Sequence, residues 1–321
     1  MEKRIKLFTH TDLDGVGCAI LAAVAFETDE VDVVYCDYDT IDEEVKSFID
    51  NENVENFERC LITDIKIGYE LAKEIDEKYD NFTLLDHHPT ADYLKEFEWC
   101  TIQIETLLDH DTVIKTSGTE LLYEWLIDRG AFDGYILSIM EAVDNFVNIV
   151  RDYDTWRWAS IPDGEISKNI NDLYYIYGRD KFVADTVDKI LLYKNFPCLT
   201  DTDKLLLENK QKEIDNYLEQ KNEQFRVGEL NGRPCGVVFA DKYLSEIGNK
   251  LCKLHPEVDF VLLIDMGRGG ISFRADKDGI DLGKDFASLY GGGGHPKASG
   301  CPIRKIEVDE LLKTLLEPVN Q

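Results

Sequence analysis

Phe8-Thr9-His10-Thr11-Asp12-Leu13-Asp14-Gly15 is the stretch around which the fold can be worked out. The strand-like residues 5–8 that lead into it predict a β-strand, and residues 15–21 predict the start of an apolar helix. Its histidine and two aspartates would then lie at the carboxyl end of a strand, where open α/β sheets bind ligands. Such side chains indicate a divalent cation site, but aspartate is also common in turns and helix caps. This stretch alone leaves both interpretations open.

Strand and helix patterns alternate along the first part of the chain. The predicted strands cover residues 5–9, 31–36, 60–64 and 82–86, and the predicted helices between them cover residues 16–26, 41–49 and 69–79. Ser117 and Glu120 form a capping-box pattern at the start of a helix at residues 119–128, and a further helix is predicted at residues 135–150. This order predicts an α/β fold with a mostly parallel sheet and helices on both faces.

The length of 321 residues favours two domains. Pro197 interrupts the first pattern, and the charged residues 203–224 predict a connecting helix. We expect an α/β domain at residues 1–196, a connector helix at 197–226 and a smaller α/β domain at 227–321. In the smaller domain, strands are predicted at residues 235–240, 260–265 and 270–274, and helices at residues 244–254 and 282–290.

The charge of the chain is strongly negative and uneven. The formal net charge of −29 argues against a protein that coats long nucleic acids, because such binding works by neutralising phosphates. Residues 227–321 carry a net charge of only −2, so the first 226 residues carry −27. An anionic substrate therefore requires metal ions in the acidic part, or binding to the nearly neutral part, or both.

The cysteines and the start of the chain predict a cytoplasmic protein. Eight cysteines are scattered without a C-x-x-C pair, which suits buried thiols in a reducing cytosol better than disulfides or zinc ligands. Residues 1–4 lead directly into a predicted strand, so we expect no signal peptide. No stretch approaches the roughly 20 apolar residues of a membrane span.

Two further polar clusters follow predicted strands. Asp64 ends one strand, and Asp86-His87-His88 ends the next. With the first stretch they form three clusters at strand ends that converge on one edge of a parallel sheet. Carboxylates gathered there repel each other unless a cation neutralises them. The mixed carboxylate and imidazole ligands favour two Mn²⁺ ions, with Mg²⁺, Fe²⁺ or Co²⁺ as substitutes.

The joint pattern resembles the DHH phosphoesterase superfamily. Asp86-His87-His88 matches its name-giving motif, and Gly292-Gly293-Gly294-His295 resembles the signature of the DHH-associated C-terminal domain. His-Thr-Asp-Leu-Asp-Gly and Asp-Tyr-Asp-Thr-Trp are most similar to the nanoRNase B type of oligoribonuclease. The resemblance implies a metal-binding catalytic domain at residues 1–196 and a DHH-associated, substrate-binding domain at residues 227–321.

The resemblance also implies a set of metal ligands. One ion would be bound by His10, Asp12 and Asp64, and a second by Asp14, Asp64, His87 and Asp154, with Asp64 as the bridge. Asp154 precedes a threonine, as the family pattern requires, but Asp152 and Asp144 are nearby rivals.

Catalytic and substrate-binding residues follow in the same way. Asp86 would orient a histidine, and His88 would reach the scissile phosphate. The implied phosphate-binding residues are Arg274, Gly292, Gly293, Gly294 and His295, with Lys297 as a further donor. The alternative for Arg274 is an exposed strand arginine, against which binding is favoured, and the alternative for the glycines is a flexible tip.

One aromatic feature has two interpretations. Trp156 and Trp158 are predicted to alternate along a short extended run. One of them could stack on a base, but packing in the protein is the alternative.

The resemblance implies a Mn²⁺-dependent phosphodiesterase or exonuclease. It would degrade short single-stranded oligonucleotides, chiefly RNA, in the 3′→5′ direction to 5′-mononucleotides. The alternatives are a phosphodiesterase for cyclic or linear dinucleotides, and a non-catalytic nucleic-acid-binding relative whose metal site has decayed. No expected ligand is missing from the sequence, which favours an enzyme. The sequence leaves the oligomeric state undecided between a monomer, a homodimer and a higher homo-oligomer.

Overall fold

The structure is a computed structural model that describes residues 4–26, 30–52, 54–108 and 112–303. It divides into two compact units, residues 1–207 and 208–321. The division falls within helix α8 (Asp201–Gln224), which occupies most of the predicted connector. The domain boundaries expected from the sequence stay predictions.

The first unit contains a five-stranded, fully parallel sheet. Its strands are β1 (Arg4–His10), β2 (Val31–Cys36), β3 (Phe57–Thr63), β4 (Phe82–Asp86) and β5 (Cys100–Ile102), in the order β2-β1-β3-β4-β5. Three helices connect the first four strands: α1 (Leu13–Ala25), α2 (Ile41–Asn51) and α3 (Tyr69–Lys78). The predicted α/β class with a mostly parallel sheet is confirmed.

Each face of this sheet has its own apolar core. Because successive side chains of a strand point to opposite faces, Leu61 packs into the core that contains α1, whereas Cys60 and Ile62 pack into the core that contains α2 and α3. In the same way, Leu85 packs into the core that contains α1, and Leu84 packs into the core that contains α2 and α3. The sheet is thus buried on both sides, and its polar residues collect where the strands end.

Further helices complete the first unit. These helices are α4 (Gly118–Asp128), α5 (Leu137–Asp154), α6 (Glu165–Tyr177) and α7 (Arg179–Leu191). A short hairpin of β6 (Glu105–Leu107) and β7 (Val113–Lys115) precedes α4 in the chain. As the capping-box pattern predicted, the Ser117 hydroxyl accepts a hydrogen bond from the Glu120 N–H at 3.2 Å.

The extended run predicted for the two tryptophans is wrong. Helix α5 continues to Asp154. The N–H and the hydroxyl of Thr155 both donate hydrogen bonds to the Arg151 carbonyl, at 2.9 and 2.8 Å. Trp156 then adopts a left-handed conformation with φ 62°, and residues 157–160 form a 3₁₀ turn. The rings of Trp156 and Trp158 pack edge to face, with centroids 5.4 Å apart.

The second unit contains a six-stranded mixed sheet. Its elements are β8 (Arg226–Leu230), β9 (Arg233–Phe239), α9 (Leu244–Leu254), β10 (Phe260–Asp265), β11 (Gly270–Arg274), α10 (Leu282–Asp285), β12 (Gly293–His295) and β13 (Ala298–Pro302). The order is β12-β13-β11-β10-β9-β8, and only β9 and β10 run parallel. The helix predicted at residues 282–290 is interrupted at Phe286, which is buried against Phe260 with ring centroids 4.5 Å apart.

All eight cysteines are free, and seven of them are buried. None of the helices in the described part of the chain has the length and apolar character that a membrane span requires.

Candidate metal centre

The strand ends bring the predicted ligands together. His10 is the last residue of β1, Asp64 follows β3 directly, and Asp86 is the last residue of β4. These three strands are adjacent and parallel, so their carboxyl ends lie side by side. Asp12 caps α1, because its Oδ1 accepts hydrogen bonds from the N–H groups of Asp14 and of Gly15, each at 3.1 Å. The first stretch is therefore a helix cap and part of the acidic cluster at once.

Asp64 lies between two groups of candidate ligands. Its Oδ2 is 3.9 Å from His10 Nδ1, which is itself 3.0 Å from Asp12 Oδ2. Its Oδ1 is 3.2 Å from His87 Nε2, and this nitrogen is 3.6 Å from both Asp14 Oδ2 and Asp154 Oδ2. The ligand atoms of His10, Asp12 and Asp64 lie within 4.8 Å of one another, and so do those of Asp14, His87 and Asp154, so each group could hold a metal ion.

The three candidate aspartates of α5 have different surroundings. Asp154, at the end of α5, reaches His87. Asp152 instead accepts hydrogen bonds from Arg151 at 3.2 Å and Arg157 at 2.8 Å. Asp144 accepts a hydrogen bond from the hydroxyl of Tyr123. The structure thus brings only Asp154, of the three, to the acidic cluster.

The carboxylates of the acidic cluster repel one another. Burial, together with the neighbouring carboxylates of Asp14 and Asp12, raises the pKa of Asp64 and of Asp154 well above the usual range. The ammonium group of Lys115, the last residue of β7, opposes this effect on Asp154. Within the described residues, the buried Asp64 Oδ2 has no hydrogen-bond partner. A cation would satisfy this oxygen and relieve the repulsion, so the residues present fit a metal ion.

The two histidines of the DHH motif have different surroundings. Burial lowers the pKa of His87, which keeps its ring neutral and able to bind a metal. Burial acts in the same direction on His88, but the carboxylate of Asp86 outweighs it and raises its pKa. Asp86 Oδ1 lies 2.7 Å from His88 Nδ1 and also accepts the N–H groups of His87 and His88. Asp86 therefore fixes the His88 ring.

The amino terminus of α4 positions Asp14, a role that sequence reasoning missed. The N–H groups of Gly118 and Thr119 donate to the two carboxylate oxygens of Asp14, at 2.6 and 2.8 Å. The Thr119 hydroxyl donates to the Asp14 carbonyl at 2.7 Å. The capping box marks the start of this helix in the sequence, but no local signal shows that the helix reaches Asp14.

Tyr38 also belongs to the centre and was missed. Its hydroxyl lies 3.3 Å from His88 Nε2, and its ring centroid is 4.7 Å from that of His10. The only local signal is an exposed aromatic residue just after a strand of the sheet.

The residues predicted to bind substrate lie together in the second unit. The register places Arg274 of β11 opposite Ala298 of β13, and Ala298 opposite His295 of β12. Residues opposite each other in antiparallel strands point to the same face, so Arg274 and His295 flank a small alanine. The Arg274 guanidinium donates to the Ser245 hydroxyl at 2.9 Å and to the Phe273 carbonyl at 2.8 Å.

The glycines of this unit have separate structural roles. Gly291 has φ 77° and Gly294 has φ 133°, conformations that favour glycine. A Cβ at Gly292 would lie 2.0 Å from the Gly300 carbonyl oxygen, so close strand packing requires this glycine. Gly293 has open space around it. Lys297 is paired with Asp278 at 2.8 Å, which ties its charge to an acidic neighbour.

The relatives of the chain establish its family. No model of a known protein family matches. The chain is 35% identical over 309 residues to oligoribonuclease NrnB of Bacillus subtilis (strain 168), a match that covers 95% of this chain and 74% of NrnB. The chain belongs to the DHH phosphoesterase superfamily. It is similar in fold to exonuclease RecJ bound to manganese, with a TM-score of 0.57, 14% identity, and coverage of 97% of this chain and 88% of RecJ.

A second solved structure shares this DHH fold. The DHH domain of a protein assigned to a family of ribosomal proteins matches with a TM-score of 0.59 and 13% identity, covering 98% of this chain and 87% of that domain. The family resemblance read from the sequence is therefore confirmed, and so is the two-part α/β architecture. At such low identity these two likenesses concern the fold alone.

Proposed function

We propose that this DHH phosphodiester hydrolase degrades short single-stranded oligonucleotides, chiefly RNA, in the 3′→5′ direction to 5′-mononucleotides. We also propose that it needs two divalent cations, Mn²⁺ by preference and Mg²⁺ or Co²⁺ as substitutes. The observation that supports the proposal most is the position of Asp64, whose two carboxylate oxygens each face a separate group of ligands. One carboxylate that serves both groups suits a pair of ions a few ångströms apart.

The ligand sets follow from these groups. His10, Asp12 and Asp64 would hold one ion. The second would be held by Asp14, His87 and Asp154 together with Asp64, whose Oδ1 lies 3.2 Å from His87 Nε2. Two bound ions would activate water for in-line attack and offset the charge of the phosphoryl oxygens. The α4 amides keep both Asp14 oxygens in place, while Asp86 orients His88 so that its Nε2 can face the scissile phosphate.

The preference for short substrates is supported by the distribution of charge. The acidic first part of the chain repels a long polyanion, whereas a short oligonucleotide presents few phosphates. Arg274 and His295 in the nearly neutral second unit, together with the N–H groups of Gly292, Gly293 and Gly294, would bind one terminal phosphate. The relative at 35% identity is named an oligoribonuclease, and RecJ was solved with manganese. The free, mostly buried thiols suit work in the cytoplasm.

A digestion series tests this function. Pure protein with Mn²⁺ is incubated with RNA and DNA of two to ten nucleotides, labelled at either end. We expect RNA five-mers to shorten stepwise from the 3′ end and to release 5′-mononucleotides. An intact five-mer would contradict the proposal. Rapid cleavage of dinucleotides alone would identify a dinucleotide phosphodiesterase instead.

A further inference from the structure

Tyr38 is an exposed aromatic residue held at the edge of the acidic cluster. Its side chain lies in the loop after β2 and is 54% exposed. On one side its ring packs against that of His10, and on the other it meets the His88 ring edge to face, with centroids 6.0 Å apart. Its hydroxyl lies 3.3 Å from His88 Nε2. An exposed tyrosine with these contacts is accessible to a ligand of the cluster.

The loop that carries Tyr38 is fixed to the metal centre. The Thr11 hydroxyl donates to Asp37 Oδ1 at 3.0 Å, which ties this loop to the loop that follows β1. The Asp37 N–H donates to the Thr40 hydroxyl at 3.0 Å, and the Thr40 N–H returns to the Asp37 carbonyl at 3.0 Å. The backbone of Tyr38 is therefore held on both sides, so that its side chain can turn while its Cα stays in place.

Asp86, His88 and Tyr38 form a series of polar contacts. The Asp86 carboxylate can only accept, so the His88 Nδ1 carries a proton toward it. The His88 Nε2 meets the Tyr38 hydroxyl at 3.3 Å, and this hydroxyl can donate to a neutral ring or accept from a protonated one. The phenol is neutral at pH 7 and thus adds no negative charge to the cluster.

The Tyr38 hydroxyl occupies the place at His88 Nε2 where the proposed function puts the scissile phosphate. We propose that Tyr38 is a catalytic residue: its hydroxyl leaves His88 when substrate binds and donates a hydrogen bond to a non-bridging oxygen of the scissile phosphate. The inference rests on the proposed role of His88. A neutral donor suits this position because negative charge on the phosphoryl oxygens increases in the transition state.

Tyr38→Phe tests the hydroxyl while keeping the ring against His10. Rates are measured with Mn²⁺ on a five-nucleotide RNA and on the p-nitrophenyl ester of thymidine 5′-monophosphate. We expect kcat to fall by about 10²-fold on both substrates, the size typical of a lost donor to a developing oxyanion. Manganese affinity and Tm should stay unchanged. Tyr193→Phe, at an exposed tyrosine elsewhere in the first unit, is the matched control and should leave both rates unchanged.

The two substrates separate the possible roles of the hydroxyl. A non-bridging oxygen is common to both, so equal losses support the inference. A loss on RNA alone would assign the hydroxyl to the leaving oxygen or a base, and would overturn it, as would an ester rate within twofold of wild type. If wild type cleaves the ester but not RNA, the proposed substrate fails while the inference about Tyr38 is still tested.

A double substitution separates direct contact from an effect through His88. The good leaving group of the ester keeps the residual rate of His88→Ala measurable. If Tyr38 contacts the phosphate itself, adding Tyr38→Phe to His88→Ala lowers the rate by a further factor. If the double variant equals His88→Ala, Tyr38 acts only by holding His88, and the inference is overturned.

Discussion

Gly118 lies directly against Asp64: a Cβ at Gly118 would be 2.5 Å from the Asp64 Cβ and 2.9 Å from its Cα. The Gly118 N–H also donates to Asp14 Oδ2 at 2.6 Å. Asp64 itself has φ 58°, an uncommon conformation for a residue with a side chain. One glycine at the start of a helix thus sets the positions of two carboxylates of the proposed metal site.

We expect Gly118→Ala to weaken manganese binding by at least about tenfold, corresponding to about 1.4 kcal/mol. The added methyl group must displace Asp64 or α4, and overpacking of this kind typically costs about 1–3 kcal/mol of stability. Isothermal titration calorimetry with Mn²⁺ measures the change in affinity, and thermal unfolding measures the loss of stability. Gly228→Ala, where a Cβ has open space and φ is not positive, is the silent control. An affinity equal to wild type would show that Gly118 does not position these ligands.

Asp64→Asn should stabilise the metal-free protein while it abolishes manganese binding. The substitution removes a buried charge that faces Asp14 and Asp12, and asparagine tolerates the left-handed backbone at this position. Unfolding in the presence of a chelator measures the change in Tm. Asp32→Asn is the opposite control, because Asp32 accepts a hydrogen bond from the buried Lys6 at 2.9 Å and its loss should destabilise. A lower Tm for Asp64→Asn would contradict the repulsion argument.

The gain in Tm of Asp64→Asn over wild type should increase as pH rises. The pKa of Asp64 is raised in the folded protein, so the folded state holds this proton more tightly than the unfolded state. Wild type therefore loses stability as pH rises from near the ordinary aspartate pKa of 3.8 through the raised value. The difference in Tm between variant and wild type, measured without metal, should grow over this range. A constant difference would show that the charge of Asp64 is not its cause.

Three substitutions in α5 test which aspartate serves the metal site. Asp154→Asn should lower kcat by at least about 10²-fold, the effect typical of losing a key electrostatic group. Asp144→Asn should retain activity, since Asp144 pairs with Tyr123. Asp152→Asn should instead cost about 1–3 kcal/mol of stability, because the buried Arg151 loses a charged partner. Rates and unfolding curves are compared for all three. A fully active Asp154→Asn would remove this residue from the ligand set.

Arg274→Lys tests the proposed phosphate site of the second unit. Lysine keeps the charge but loses the planar fork that binds a phosphate with two hydrogen bonds. We expect KM for a five-nucleotide RNA to rise by about tenfold, with kcat changed by less than about threefold. Arg268→Lys, at an exposed turn arginine, is the control. If kcat fell and KM did not change, Arg274 would act on the reaction and not on binding.

The sequence predicts the parts of the site that depend on local patterns. His10, Asp64 and Asp86-His87-His88 each follow a run that is recognisable as a buried strand, and parallel strands bring their ends together. The fold class and the family could therefore be predicted. The structure also accounts for the Ser117 cap, because its hydrogen bond to Glu120 lies within one turn.

What escaped prediction depends on contacts between distant segments. Gly118 and Asp14 are separated by 104 positions, and no periodicity in either segment indicates their hydrogen bond. Tyr38 meets His88 across 50 positions. The extended run predicted for Trp156 and Trp158 is wrong because α5 continues to Asp154. The hydrogen bond from the Thr155 hydroxyl to the Arg151 carbonyl closes the last turn of this helix, so the chain does not extend here despite its strand-like alternation.

The buried, unsatisfied oxygen of Asp64 has a consequence for the lifetime of the protein. A protease attacks the small population that is transiently open, and a bound ion reduces that population in proportion to its concentration over its Kd. Carboxylates that repel each other without the ion raise the same population. We therefore expect manganese starvation to lower the amount of the protein as well as its turnover rate, so that its abundance follows the metal supply of the cell.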